Sequence, residues 1–158
     1  MINILFVCMG NICRSPSAEG FFVTALQTSK YRERISTDSA GTHGYHVGHA
    51  PDPRAVATAL DFGVDISQLC ARKVSVSDFD NFDLIIAMDS SNFSDLQSIQ
   101  PKGSKASLKM MMQFHPEAHP KDVPDPYYGG QDGFTYMCKL LDSATRGLLK
   151  DVEGRLGQ

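Results

Sequence analysis

Cys8 and Arg14 stand six residues apart in the run Cys8-Met9-Gly10-Asn11-Ile12-Cys13-Arg14-Ser15-Pro16. That pairing suits chemistry on a tetrahedral oxyanion. A thiolate is a strong nucleophile, and a guanidinium presents a planar fork that holds two oxygens and keeps its charge at neutral pH. Gly10 lets the backbone turn tightly, and Asn11 tolerates a left-handed conformation. Ser15-Pro16 reads as a helix start, with Ser15 as cap and Pro16 at the first helical position. Free backbone N–H groups at such a start converge on an anion, and the helix dipole adds favourable potential. Met9, Gly10, Asn11, Ile12, Cys13 and Ser15 are therefore expected to wrap a phosphate. Cys8 should sit as a stabilised thiolate at the mouth of this positive cradle, with Ser15 placed to donate a hydrogen bond to its sulfur. A cysteine at a strand end is more often plain packing, and the spacing alone arises by chance. Context favours chemistry: Cys13, Cys70 and Cys138 have no arginine at this spacing.

The elements around the run must position it. Ile2 to Val7 is apolar and β-branched, as in a strand buried on both faces. Ala18, Phe21, Phe22 and Ala25 follow at helical spacing, with the helix ending near Ser29. Ile35 to Ala40 alternates as a second strand closed by Gly41. Pro51-Asp52-Pro53 marks a loop, and Arg54 to Phe62 reads as a helix stopped by Gly63. Asp83 to Met88 is a further central strand, with Asp89 or Ser90 capping the next helix, and Ala106 to Met110 is a weaker strand. Residues 115–133, rich in Pro, Gly and Asp, form a surface loop. Phe134, Met137, Leu141, Ala144, Leu148 and Val152 then line one face of a long helix. Strands alternating with helices predict a parallel sheet covered on both faces, with ligands beyond the C-terminal strand ends. The loop beginning at Cys8 lies at that end.

The chain has 158 residues, the size of one domain spanning 1–158, and 42% hydrophobic residues suffice for a core. Its formal net charge of −3 argues against nucleic acid as a partner, so an anionic substrate must be captured by local potential. The opening MINILFVCMG shows no basic leader or cleavage site, and no apolar run is long enough for membrane insertion. A cytoplasmic protein with reduced cysteines is expected. No Cys-x-x-Cys occurs, and histidines at 43, 46, 49, 115 and 119 are scattered, so neither a metal nor another cofactor is implied. Cys70, Cys138 and Met110 to Met112 read as packing residues.

The run from Cys8 to Pro16 closely resembles the phosphate-binding loop of the low-molecular-weight protein tyrosine phosphatases. The likeness extends through Asp38-Ser39-Ala40-Gly41-Thr42, Pro51-Asp52-Pro53-Arg54-Ala55, Phe82 to Asp89 and Asp125-Pro126-Tyr127-Tyr128-Gly129. It implies an α/β three-layer sandwich with a four-stranded parallel sheet, and a metal-independent phosphatase that uses a phosphocysteine. It places the proton donor at Asp125. Read alone, Asp-Pro is a turn signal, and its interest comes from Tyr127 and Tyr128, two aromatics in a Gly/Pro loop that suit the walls of a substrate cleft. Tyr45 falls where the family often carries a further wall; as an isolated residue it is equally an ordinary loop tyrosine. Ser39 and Asn11 match positions that hold the loop in shape, and Arg54 and Asp89 match positions in a supporting ion-pair network. Leu69 stands where many members carry a histidine, so a polar tie bracing Asn11 is expected to be missing.

The resemblance implies tyrosine-phosphorylated proteins as partners, phosphate or other oxyanions in the site, and a monomer or weak dimer. Its rivals are arsenate reduction on the same fold, a phosphotyrosine-binding module without turnover, and a phosphocysteine carrier. The first needs a relay of further cysteines, and no close downstream pair exists. The others would not need Asp125. Cys13 lies near enough in sequence to capture an oxidised Cys8, or it merely packs beneath the loop.

Overall fold

The computed structural model describes residues 1–117 and 120–158; His119 lies outside them. Four parallel strands run β2-β1-β3-β4: β1 is Ile2–Cys8, β2 Ile35–Gly41, β3 Leu84–Ala87 and β4 Ser107–Met110. Among the described residues five α-helices connect or follow them, besides two short 3-10 turns: α1 Arg14–Leu26, α2 Pro53–Asp61, α3 Asp78–Asn81, α4 Ser90–Ile99 and α5 Gln131–Leu156.

The period-two alternation of β1 sorts its side chains into two cores. Ile4 and Phe6 join Leu84 and Ile86 beneath α1, α2 and α5, whereas Leu5 and Val7 join Ile85 and Ala87 beneath Phe79 of α3 and Leu96 of α4. The result is the three-layer sandwich. Each fully buried aliphatic or aromatic side chain stabilises it by about 1.5–3 kcal/mol. Met110, Met111 and Met112 are packing residues as expected, and Cys138 is wholly buried, its thiol pushed up to about 12 by desolvation. Cys70 is not a packing residue: it is exposed.

The boundaries differ from the sequence reading in instructive places. Helix α1 begins at Arg14 with Cys13 at the cap position, and Ser15 caps nothing. The Ser15 hydroxyl is committed elsewhere, to Cys8 and Asn11. Pro16 is the third helical residue, still within the first turn, where a missing N–H costs little. The helix stops at Leu26, three residues before Ser29, and α5 starts at Gln131, inside the stretch read as loop. Asp89 caps α4, its carboxylate accepting from Asn92 N–H at 2.7 Å. Gly63, at φ +80°, ends the turn after α2.

Candidate active site

Strand β1 delivers Cys8 to the C-terminal edge of the sheet, and the chain curls back over its sulfur before entering α1. Asn11 takes the left-handed turn at φ 58°, which aims its N–H at Cys8 Sγ, 3.3 Å away. Ser15 Oγ lies 3.0 Å from the same sulfur. Asn11 is held on three sides. Its Nδ2 donates to Ser15 Oγ at 2.8 Å and to Ser39 Oγ at 3.0 Å, and its Oδ1 accepts from Arg72 N–H at 3.0 Å. The tie expected to be missing with Leu69 is therefore supplied by a backbone amide. Gly10 serves close approach: a Cβ there would meet the His46 ring at 3.1 Å.

Arg14 is only 2% exposed, so its charge needs partners. Nη1 donates to Asp89 Oδ2 at 2.5 Å and to Val123 O at 3.1 Å, and Nη2 lies 3.5 Å from Asp125 Oδ2. Burial acts to lower the Arg14 pKa, but Cys8, Asp89 and Asp125 outweigh it and raise it, so the guanidinium stays charged. Asp125 is tied to its own segment, its Oδ1 accepting from Tyr127 N–H at 3.0 Å. Cys8, Arg14 and Asp125 share one cavity of about 310 Å³, whose walls include Tyr45, Tyr127 and Tyr128. Such a space admits a phosphoryl group and the ring that carries it.

A family model for the low molecular weight phosphotyrosine protein phosphatases matches residues 3–156. The chain belongs to this family. A low molecular weight phosphotyrosine protein phosphatase of Schizosaccharomyces pombe is 46% identical over 152 residues, covering 96% of this chain and 97% of that one. The crystal structure of an Entamoeba histolytica protein tyrosine phosphatase with Hepes in its active site superposes with a TM-score of 0.93, at 38% identity over 98% of both chains. The structure of YfkJ from Bacillus subtilis gives a TM-score of 0.91 at 35% identity, over 98% of this chain and 96% of that one.

In this low molecular weight phosphatase chain the residues singled out from sequence mostly converge. Met9, Gly10, Ile12 and Cys13 line the cavity with Cys8, and Asn11 and Ser15 brace it from beneath. Ser39 is buried against Asn11. Arg54 and Asp89 do not form one network: Asp89 pairs with Arg14, and Arg54 pairs with Asp52. The twin tyrosines differ, Tyr128 being 90% exposed and Tyr127 half-buried. Burial, Asp52 and then Cys8 push the Cys13 thiol up, so it stays protonated; both loop cysteines are free.

Two participants were missed. His46 lines the cavity between Gly10 and Tyr127, and only its place beside Tyr45 hinted at that. Arg72 braces Asn11 through its backbone, while its side chain binds Asp38 and Asp78 at 3.0 Å each. Among the described residues no three His, Cys, Asp or Glu side chains come together as metal ligands, and no helix is long and apolar enough to cross a membrane.

Proposed function

We propose that this chain is a cysteine-dependent protein tyrosine phosphatase that hydrolyses phosphotyrosine in proteins through a phosphocysteine on Cys8. The observation that carries the reading is the meeting of three groups in one cavity. A sulfur lies against the Asn11 N–H and the Ser15 hydroxyl, a buried arginine is aimed by Asp89, and a carboxylate stands 3.5 Å from that arginine.

In the first step the Cys8 sulfur attacks phosphorus. An S–P bond forms as the P–O bond to the phenol breaks, and Asp125 donates its proton to the departing oxygen. In the second step water attacks phosphorus, passes a proton to the Asp125 carboxylate, and releases inorganic phosphate and the thiolate. The loose phosphoryl transition state needs positioning and charge stabilisation, roles for Arg14 and the loop amides. A phenolate leaving group has a conjugate acid near pKa 10, about the value of tyrosine, so protonation helps its departure. Tyr45, Tyr127 and Tyr128 offer faces on which the substrate ring can stack.

One domain over residues 1–158 supplies every residue in this scheme, which suits a monomer or weak dimer. Four free thiols fit a cytoplasmic setting. Asp125 at the cavity favours turnover over simple capture of phosphotyrosine. With Cys138 buried and Cys70 exposed, nothing favours a cysteine relay.

Steady-state assays on phosphotyrosine test the roles. Cys8→Ser should abolish turnover while still binding phosphate, and Arg14→Lys should lose at least about a hundredfold, because an ammonium cannot reproduce the fork. Substantial activity in either variant would overturn the assigned role.

A further inference from the structure

The segment carrying Asp125 is pinned at both ends and only lightly at its tip. Val123 N–H donates to Met88 O at 2.8 Å, and Val123 O accepts from Arg14. At the far end Gln131 Nε2 donates to Thr58 Oγ1 at 2.9 Å. Between these anchors the hydrogen bonds are internal: Gly129 N–H to Pro126 O at 3.0 Å, and Tyr127 N–H to Asp125 Oδ1 at 3.0 Å. The second is a turn in which the aspartate grips the backbone two residues on. Whatever seats Tyr127 therefore helps to set the Asp125 carboxylate, whose other oxygen lies 3.5 Å from Arg14 Nη2.

The Tyr127 ring packs against the main core, and among the described residues two rings and one cation also face it. Tyr128 is 5.0 Å away between centroids but belongs to the same segment, and His46 is 6.2 Å away. The third is Arg54, whose guanidinium carbon lies 5.5 Å from the Tyr127 centroid. Arg54 is the one tied to a carboxylate outside the segment. Asp52 holds it by two bonds, from Nε at 3.1 Å and from Nη2 at 2.8 Å, and it also lies 4.7 Å from the centroid of the wholly buried Phe134. Asp52 in turn caps α2, and its N–H donates to Ile12 O in the phosphate loop at 2.8 Å. A cation that faces two aromatic rings and is held at its edge by a carboxylate keeps less freedom than an untethered arginine, even with its side chain 45% exposed.

We infer that Arg54 is a positioning residue for proton donation: clamped by Asp52 and Phe134, it seats Tyr127 and thereby sets Asp125 over the leaving oxygen. This deepens the proposed function and rests on Asp125 being the donor. Arg54 touches none of the reacting atoms. Its contribution belongs to the step in which the P–O bond breaks and the proton moves from Asp125 to the phenol oxygen.

The test is kcat/KM over aryl phosphates from 4-nitrophenyl to phenyl phosphate, with inhibition by inorganic phosphate as a check on the cradle. Wild type, Arg54→Met, Arg54→Lys, Tyr127→Ala, the Arg54→Met/Tyr127→Ala double variant and Asp125→Asn are compared. Arg54→Met should lose about tenfold more on phenyl than on 4-nitrophenyl phosphate, because the less acidic phenol depends on the proton. Phosphate should inhibit within about twofold of wild type, as a purely catalytic loss requires. Tyr127→Ala should show the same steepened series, and the double variant should be no worse than the poorer single one. Arg54→Lys should fall between. An equal loss on all substrates, or losses that multiply in the double variant, would overturn the inference. If Asp125→Asn steepens the series and Arg54→Met does not, the donor reading stands and the Arg54 role falls. If Asp125→Asn leaves the series unsteepened, the donor reading falls and takes the Arg54 role with it.

Discussion

Glu19 shows how a single buried charge can work against the fold. It is 7% exposed on α1, where its carboxylate accepts from Thr37 Oγ1 at 2.9 Å. Burial raises its pKa, and the Thr37 bond opposes only part of that. The folded state therefore holds the proton to higher pH than the unfolded chain, whose glutamate titrates near about 4.3. The Glu19 contribution to stability is then greatest below that value and is lost as pH rises through the folded pKa. Glu19→Gln removes the charge and keeps the acceptor. It should raise the Tm by a few degrees at pH 7, with the gain vanishing as pH approaches about 4. Thermal melts across that range check this; an equal shift at both ends would contradict it. At this scale legibility was uneven. Cys8, Arg14 and the left-handed Asn11 followed from residue type, whereas the Arg72 brace did not, because it acts through a backbone amide that every residue but proline carries. Asp125 as donor came from family likeness alone, since its distance to Arg14 depends on how residues 122–131 fold back.

Elements were legible where one force dominated. Buried strands β1 and β3 announced themselves as apolar runs, and α5 by its period. Helix α3, only four residues, was missed: it exists because Phe79 is buried in the second core and Asp78 binds Arg72. Docking of α5 also rests on an absence of side chain. A Cβ on Gly147 would stand 1.8 Å from Phe114 O, a backbone atom in the short 3-10 turn over 111–114. Gly154 lies farther along the same helix with open space around its Cβ position. Gly147→Ala should destabilise by about 2 kcal/mol or more despite better helix propensity, because overpacking against backbone outweighs a gain of about 1 kcal/mol. Gly154→Ala should stabilise by up to about 1 kcal/mol. Urea unfolding of the two variants decides this, and equal effects would refute the packing account.

Across the whole molecule, the proposed function asks a chain of net charge −3 to build a local site for a dianion. The means is geometry: Arg14, the start of α1 and the turned Asn11 amide meet where the parallel sheet ends, while Asp89 fixes the arginine's direction. On the proposed mechanism, Cys8 is where the phosphoryl group rests between the two steps. The most direct measurement is the position of phosphorus in enzyme acid-quenched during turnover of 4-nitrophenyl phosphate, whose good leaving group lets the intermediate accumulate. Peptide mapping should find the phosphoryl group on the Cys8 sulfur, formed in proportion to the enzyme present. Phosphorus bound stably to any other residue of the turning-over enzyme, with the Cys8 peptide unmodified, would contradict the account.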